Sequence, residues 1–268
     1  MSKLEKEISD DQKRLDREQE KEQANRLKKE VEVQRKAQRQ IESMSKTIKT
    51  YENQQFEMQG QIEAMKRAPE RITVLFLAAN PKNTNSLRLD EEAREIQEKI
   101  RKSEFRDTII FESRWAVRTM DIIQAINEVD PDIIHFSGHG DENGELVFED
   151  TYGNAKLVTK DAMTQTISTV SDKIRFIFFN ACFSAEQAKS IVGHINAAIG
   201  MNKPIGDKAA ITFAAQFYSS IGFGKSIKTA YEQAKASLML EGINKEDTPE
   251  LYVKSELSSD EIYLVQPG

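Results

Sequence analysis

The first 68 residues of this 268-residue chain contain no proline and a single glycine, Gly60. Proline and glycine are the residues that interrupt a helix most strongly, so a stretch almost free of both has little to stop a helix once it has started. The stretch is also highly charged. The sequence therefore predicts a long polar helix over residues 1–68, followed by a separate body that begins near Arg71.

The second half of this predicted helix carries an apolar seam. From Ile41 to Met65 the spacing of the seam alternates between three and four residues, as in the heptad repeat of a coiled coil. Its positions are Ile41, Met44, Ile48, Tyr51, Gln55, Met58, Ile62 and Met65. We expect a coiled coil formed with a second copy or with another protein. The alternative is a solvated helix that folds back on the rest of the chain.

Beyond residue 70 the pattern changes to alternating strands and helices. Residues 72–79 form a continuous β-rich apolar run, which is typical of a strand covered on both faces. Further strands are predicted at 108–111, 132–136, 145–149, 155–158, 174–179 and 209–214, and helices at 89–102, 119–129, 160–170, 185–198 and 225–240. This alternation indicates an α/β domain over residues 71–268, with a mostly parallel sheet flanked by helices.

Composition excludes several classes of protein. The apolar runs are far shorter than the roughly 20 residues that span a bilayer, and the charged N-terminus lacks the apolar core of a secretory signal. With one cysteine and three histidines, we expect no internal disulfide, no structural metal and no other cofactor. The net charge is −6, and the acidity lies beyond residue 70, which disfavours nucleic-acid binding. We expect a cytoplasmic protein that does not bind membranes.

Two predicted strands end in sequences that can carry chemistry. One continues into Ser137-Gly138-His139-Gly140 and the other into Asn180-Ala181-Cys182. Parallel sheets place their functional sites beyond the carboxyl ends of the strands, so His139 and Cys182 are expected at the same edge. If the strands are neighbours, the imidazole can serve as base for the thiol. A lone cysteine after a strand is more often a buried small hydrophobe, and its pairing with His139 is what favours function.

The surroundings of both motifs fit a reactive thiolate. Ser184 and Gln187 have the spacing of a capping box, which predicts a helix directly after Cys182, and a helix N-terminus favours the thiolate form. The backbone amides of Gly140 and Cys182 are candidates to bind the oxyanion of an attacked carbonyl. No third catalytic side chain can be named, and a backbone carbonyl is the candidate to orient the histidine. His135, inside its strand, is expected only to satisfy a buried hydrogen bond.

The paired motifs resemble those of the caspase and separase clan of cysteine proteases. The flanking sequence is more similar to the CHAT-domain family of that clan than to caspases proper. It includes Leu87–Glu92, Pro131–Phe136, Pro204–Ala210 and Phe217-Tyr218. The resemblance spans about residues 71–240. It implies a caspase-like fold and cleavage of a protein substrate, with His139 as base and Cys182 as nucleophile.

The same resemblance implies a setting and leaves the specificity open. CHAT proteins recur as proteolytic effectors in bacterial defence and conflict systems, switched on by an attached sensor or a partner protein. The helical segment 1–68 is then expected to bind an activator or to bring copies together. Relatives that cleave after arginine or lysine often have an acidic residue where this chain has Asn180. Asp207 is the candidate to supply that charge; alternatively, it caps the loop before the strand predicted at 209–214.

Two other functions fit parts of the sequence. Gly222–Ser226, between a predicted strand and a predicted helix, is similar to the end of a phosphate-binding P-loop, but Ser219 stands where that motif needs its first glycine. The other possibility is a catalytically silent interaction module in which the coiled coil is the working part. The intact pair of His139 and Cys182 favours the protease, because degenerate relatives tend to lose one of the two.

Overall fold

The computed structural model describes residues 3–67, 71–170 and 172–265, and in the first of these segments it describes the side chains of residues 14, 15 and 17–59. The chain divides into two units, Met1–Arg67 and Ala68–Gly268. The first unit is a single helix, α1, over Lys3–Arg67. Among the helices of these segments, none combines the length and the apolar character needed to cross a membrane.

Helix α1 exposes the part of its apolar seam for which the structure describes side chains. Every side chain described for α1 is exposed. The large apolar side chains of the seam are 54–65% exposed, namely Ile41, Met44, Ile48, Tyr51 and Met58. The side chains of Ile62 and Met65, which complete the predicted seam, lie outside those described. The helix thus has the predicted apolar stripe, and the coiled coil that would cover it remains a prediction.

The described part of the second unit contains nine strands and six further helices. The strands are β1 (Ile72–Ala78), β2 (Ile109–Arg114), β3 (Ile133–Ser137), β4 (His139–Gly140), β5 (Leu146–Glu149), β6 (Ala155–Val158), β7 (Phe176–Asn180), β8 (Ala197–Met201) and β9 (Pro249–Val253). The helices are α2 (Leu89–Arg101), α3 (Asp121–Val129), α4 (Lys160–Val170), α5 (Ala185–Ile191), α6 (Asp207–Gly222) and α7 (Ile227–Leu240).

The central sheet has six strands in the order β2-β1-β3-β7-β8-β9. The first five run parallel, and β9 is antiparallel to β8 at the edge. A small antiparallel sheet, β4-β5-β6, follows β3. The predicted α/β class, with a mostly parallel sheet flanked by helices, is confirmed.

The sheet separates two hydrophobic cores. Because successive side chains of a strand point to opposite faces, Val74 and Phe76 of β1 enter the core under α2, α6 and α7, whereas Leu75 and Leu77 enter the core under α3, α4 and α5. Burying a large apolar side chain contributes about 1.5–3 kcal/mol to folding. This burial on both faces explains the continuous apolar run of residues 72–79.

The prediction of a strand at 209–214 is wrong, because these residues belong to α6. Along α6 the buried side chains of Ala209, Phe213, Phe217 and Ile221 recur every four residues, which is a helical period. The predicted segment is too short to show that this period continues for about two further turns, through Phe217 and Ile221. Asp207 consequently lies in the first turn of a helix, and not in a loop that precedes a strand.

The helix predicted at 185–198 is too long, since α5 ends at Ile191 and β8 begins at Ala197. Alanine favours a helix when a segment is considered alone. In the folded chain residues 197–201 are fully buried between β7 and β9, and as a strand they pair with both neighbours. The edge strand β9 was not predicted. Tertiary packing therefore decides the secondary structure in this part of the sheet.

Candidate active site

The two motifs identified in the sequence follow neighbouring strands. β3 and β7 pair in parallel with Ser137 opposite Asn180, so both strands end at the same level. The amide of Gly138 donates to the carbonyl oxygen of Asn180 at 3.4 Å. Gly140 then passes so close to the cysteine that a Cβ at this position would lie 2.0 Å from the carbonyl oxygen of Cys182. The histidine and cysteine segments therefore lie against each other at the carboxyl edge of the sheet.

The imidazole of His139 is oriented by a backbone carbonyl. His139 begins β4 and is half-buried, and its Nε2 lies 2.7 Å from the carbonyl oxygen of Asn85. A carbonyl oxygen only accepts hydrogen bonds, so Nε2 must carry a proton. In the neutral ring, Nδ1 is then the unprotonated nitrogen and the one able to act as a base. Asn85, in the loop after β1, supplies the orienting carbonyl that the sequence could not locate.

Cys182 lies in the tight turn that joins β7 to α5. Its side chain is half-buried, and Sγ lies 3.9 Å from the carbonyl oxygen of Ile205. The next residue, Phe183, has φ of 57°, in the left-handed region that bulky residues rarely adopt. Such a conformation costs about 1–3 kcal/mol and persists only where the surrounding structure holds it in place. The turn that presents the thiol is therefore under backbone strain.

Ser184 holds this turn from inside the protein. Its buried hydroxyl lies 2.9 Å from the carbonyl oxygen of Phe179 and 2.7 Å from that of Ala181, and it accepts from the amide of Met201 at 3.0 Å. The predicted capping box is wrong, because the Ser184 side chain caps no amide of α5. The helix does begin at Ala185, as that prediction required. The serine serves to connect β7, the cysteine turn and β8.

Gln187 fixes the histidine segment to the cysteine segment from another direction. Its buried side-chain amide donates to the carbonyl oxygen of Gly144 at 2.9 Å, in the turn that follows β4. Gly144 has φ of 79°, and a Cβ there would lie 3.2 Å from the carbonyl oxygen of Phe183. The turn after the histidine thus packs closely on the turn that carries the thiol.

Below this edge, the buried carboxylate of Glu92 on α2 accepts three hydrogen bonds. Oε1 accepts from His135 Nε2 and from Asn180 Nδ2, both at 2.7 Å, and Oε2 accepts from Ser137 Oγ at 2.5 Å. His135 Nδ1 lies 3.2 Å from the hydroxyl of Tyr218, and burial raises the pKa of Tyr218 well above its ordinary value. The hydroxyl therefore stays protonated and can donate to Nδ1. The expected buried hydrogen bond of His135 is confirmed.

Sequence reasoning missed Glu92 and Tyr218 as members of this cluster. A signal for Glu92 was present, because it lies on the buried stripe of α2 together with Leu89, Ala93 and Ile96. A carboxylate on the apolar face of an amphipathic helix needs a hydrogen-bonded partner, and none is close in sequence. The family similarity of Phe217-Tyr218 assigned no contact to Tyr218, since its place on α6 depended on a helix whose first half was predicted as a strand.

The two predicted substrate-binding side chains have different surroundings. Asn180 is 4% exposed, its Nδ2 faces Glu92, and its Oδ1 is buried without a hydrogen-bond partner in the described part of the chain. Asp207 is half-buried and accepts from the amide of Arg88 at 3.3 Å. It borders a surface cavity of about 810 Å³ between α2, α6 and α7. Asn180 therefore presents a buried acceptor, and Asp207 lies at the rim of an open cleft.

The P-loop similarity of residues 222–226 does not have the structural context of a phosphate site. A P-loop connects a strand to a helix, whereas these residues connect α6 to α7. The strand expected before them is wrong for the reason given above. Within the described segments, no group of three histidine, cysteine, aspartate or glutamate side chains could hold a metal ion.

The amino-acid sequence matches a family model. The model of the CHAT domain matches residues 28–253, from the middle of α1 to the end of β9. Among curated relatives, "Roc-COR-CHAT protease" from an unknown prokaryotic organism is 23% identical over 175 residues, which are 62% of this chain and 16% of the relative. "Probable protease" of Gillisia limnaea is 23% identical over 165 residues, 60% of this chain and 29% of the relative. The chain thus spans less than a third of either relative.

Some solved structures superimpose on about two thirds of the chain. Caspase-1 of Spodoptera frugiperda superimposes with a TM-score of 0.48 at 11% identity, covering 69% of this chain and 87% of that one. The complex of the pro- and mature domains of RgpB from Porphyromonas gingivalis gives a TM-score of 0.48 at 13% identity, covering 69% of this chain and 48% of that one.

The contact at Gly140 predicts a strong effect of a single methyl group. Gly140→Ala forces its Cβ against the Cys182 carbonyl, and overpacking of this kind costs about 1–3 kcal/mol. We expect the melting temperature to fall by about 2–12 °C, measured by differential scanning calorimetry. Gly193→Ala is the control, because a Cβ there meets nothing within 4 Å. Equal melting temperatures for the two variants would contradict the close approach.

The contact between Asn180 and Glu92 predicts a pH-dependent variant. Asn180→Asp places a second carboxylate beside Glu92, and two adjacent carboxylates cannot both ionise without penalty, so the pKa of the pair rises above its unfolded value. A raised folded-state pKa means that stability is retained at low pH and lost as the pH rises. We expect a loss of about 3 kcal/mol at pH 8 and a clearly smaller loss at pH 5, measured by urea unfolding. A loss that is independent of pH would show that the two side chains do not meet.

Proposed function

Because the chain belongs to the CHAT domain family, we propose that it is a cysteine endopeptidase with His139 as base and Cys182 as nucleophile. The observation that carries this proposal is the packing of Gly140 on the peptide of Cys182, which joins the two motifs at one edge of the sheet. The relatives named as proteases support it at the level of the general activity.

The proposed reaction needs only these two side chains and water. His139 Nδ1 takes the proton of the thiol, and the thiolate attacks the carbonyl carbon of the scissile peptide bond, which forms a C–S bond and an oxyanion. Collapse of this intermediate breaks the C–N bond, and the amine leaves with the proton from His139. Water then attacks the thioester while His139 accepts its proton, and the carboxylic acid departs as the thiolate regains a proton. The Asn85 carbonyl keeps the ring oriented through all these steps.

The amides of Gly140 and Cys182 are the proposed oxyanion donors. They belong to segments whose backbones touch, so donors from both can face one oxygen. One such donor is typically worth a factor of about 10² to 10³ in rate. Because Gly140 has no side chain, a substrate carbonyl can come close to its backbone.

For substrate binding we propose Asn180 and Asp207. The buried Oδ1 of Asn180 has no hydrogen-bond partner in the described part of the chain, and we assign it as the acceptor for a donor group of the substrate. Asp207 supplies a negative charge at the rim, beside the cavity between α2, α6 and α7. A neutral amide alone does not select a cationic side chain, so any preference for lysine or arginine would depend on charge from elsewhere.

We place this activity in a cytoplasmic effector of a bacterial defence or conflict system, in line with the family resemblance, with α1 as the element that recruits an activating protein or a second copy. The seam of α1 supports an association role, because its large apolar side chains between Ile41 and Met58, where the structure describes them, are more than half exposed. The competing function is a catalytically silent scaffold that works through α1 alone.

Thiol reactivity distinguishes the protease from the silent scaffold. Cys182 is the only cysteine, so the rate at which iodoacetamide labels the chain reports on this residue alone. We expect labelling at pH 6.5 to exceed that of the urea-unfolded chain at least about tenfold, since a paired imidazole maintains the thiolate. His139→Ala should remove this excess, whereas His194→Ala, at an exposed histidine, should not. Labelling no faster in the folded chain than in the unfolded chain would favour the scaffold.

The association role predicts a position-specific effect on α1. If two copies pair along the seam, Ile48→Lys removes two buried isoleucines and should raise the dissociation constant at least about 100-fold, because each loses about 1.5–3 kcal/mol of burial. Phe56→Lys is the control, since Phe56 is 82% exposed but lies off the seam. Sedimentation equilibrium measures both variants. A monomeric wild-type chain at high concentration would exclude pairing between copies and leave a different protein as the partner.

A further inference from the structure

Glu92 joins the last residues of the two strands that lead into the active-site motifs. Through its two oxygens it binds Ser137 at the end of β3 and Asn180 at the end of β7. These two residues are also opposite each other in the sheet register. One carboxylate on α2 therefore contacts both strands at the level where they end.

The anchored residues are close to the reacting ones along the chain. Ser137 precedes His139 by two residues, and Asn180 precedes Cys182 by two residues. At about 3.3 Å per residue of extended chain, each anchor lies within about 7 Å of the residue that it supports. A shift of Ser137 or Asn180 is therefore expected to move the imidazole of His139 or the thiol of Cys182.

Stability alone is a poor explanation for a carboxylate at this position. Glu92 is 3% exposed, and a buried charge is costly even when it is hydrogen-bonded. Replacing buried charged groups by packed apolar side chains is often neutral or stabilising. Its hydrogen-bond partners lie on two neighbouring strands, His135 and Ser137 on β3 and Asn180 on β7. What the carboxylate provides is three fixed hydrogen-bond distances, to His135 Nε2, Ser137 Oγ and Asn180 Nδ2.

We propose that Glu92 is a positioning residue that sets the spacing between the His139 and Cys182 segments. The inference rests on the proposed function, because it assigns Glu92 a task in that same site. Glu92 acts through Ser137 and Asn180 and touches neither substrate nor the reacting atoms. Misplacement of reacting groups by about 1 Å can cost a factor of about 10² in rate, so an anchor of this kind has a measurable effect.

The informative variant is Glu92→Gln, which keeps the shape of the side chain and removes one acceptor oxygen. A single amide oxygen cannot satisfy the three donors as the carboxylate does, so the ends of β3 and β7 should separate. Glu95→Gln is the matched control, because Glu95 lies on the same helix and borders the surface cavity. Two measurements are made on the full chain at a temperature where all variants are folded: amide hydrogen exchange by mass spectrometry, and the pH profile of iodoacetamide labelling.

We expect Glu92→Gln to accelerate exchange selectively in peptides covering 137–140 and 180–183, and to reduce labelling of Cys182 near neutral pH about tenfold. Glu95→Gln should change neither. Unchanged exchange in both peptides, or acceleration spread evenly over the sheet, would overturn the inference. If exchange rises locally while the wild-type thiol reacts no faster than in the unfolded chain, positioning stands and the protease proposal fails.

A second variant covers the case in which Glu92→Gln does not fold. The double variant Glu92→Gln, Asn180→Asp exchanges the two groups, so that the amide is on α2 and the carboxylate is at the end of β7. The two side chains then again consist of one hydrogen-bond donor and one acceptor. We expect it to fold and to recover most of the local protection of residues 180–183, relative to Asn180→Asp alone. Protection no better than in Asn180→Asp would contradict the proposed pairing and overturn the inference.

Discussion

At Gly140 the backbone passes the carbonyl of Cys182 with no room for a side chain, and the candidate active site depends on this contact. It joins the end of β4 to the turn after β7, although the residues are far apart along the chain. The contact is possible because β3 and β7 are neighbours in register and end together. Every chemical role proposed for His139 and Cys182 follows from that proximity.

Buried polar groups hold this arrangement from several directions, and each of them connects segments that leave the sheet. Ser184 connects the cysteine turn to β8, Gln187 connects α5 to the turn after β4, and Glu92 connects α2 to the ends of β3 and β7. Such groups are costly to bury unless their partners are in place. Together they can sustain the left-handed conformation of Phe183, which an isolated turn would not keep.

The local pattern predicted most elements of the α/β unit, including β1 as a continuous apolar strand and the full extent of α4. It failed at residues 197–201 and 209–214, where alanine-rich segments are compatible with either structure. Tertiary packing decided the structure of both segments. Residues 197–201 became β8, which lies between two other strands, and residues 209–214 became part of α6, which lies over the core. The capping box failed for a related reason, because the buried Ser184 hydroxyl found partners on β7 and β8 instead of on its own helix.

The sequence by itself determined the long polar helix with its seam, the α/β class, and the candidate pair of His139 and Cys182, because periodicity and strand-end motifs are local signals. Only the tertiary structure decided that the two motifs touch, that the carbonyl of Asn85 orients the imidazole, and that Glu92 lies beneath both strands. The bonds of Glu92 span 43 residues to His135 and 88 residues to Asn180. Contacts of such range leave no periodic trace in the chain, since they exist only once the strand order has brought distant segments together.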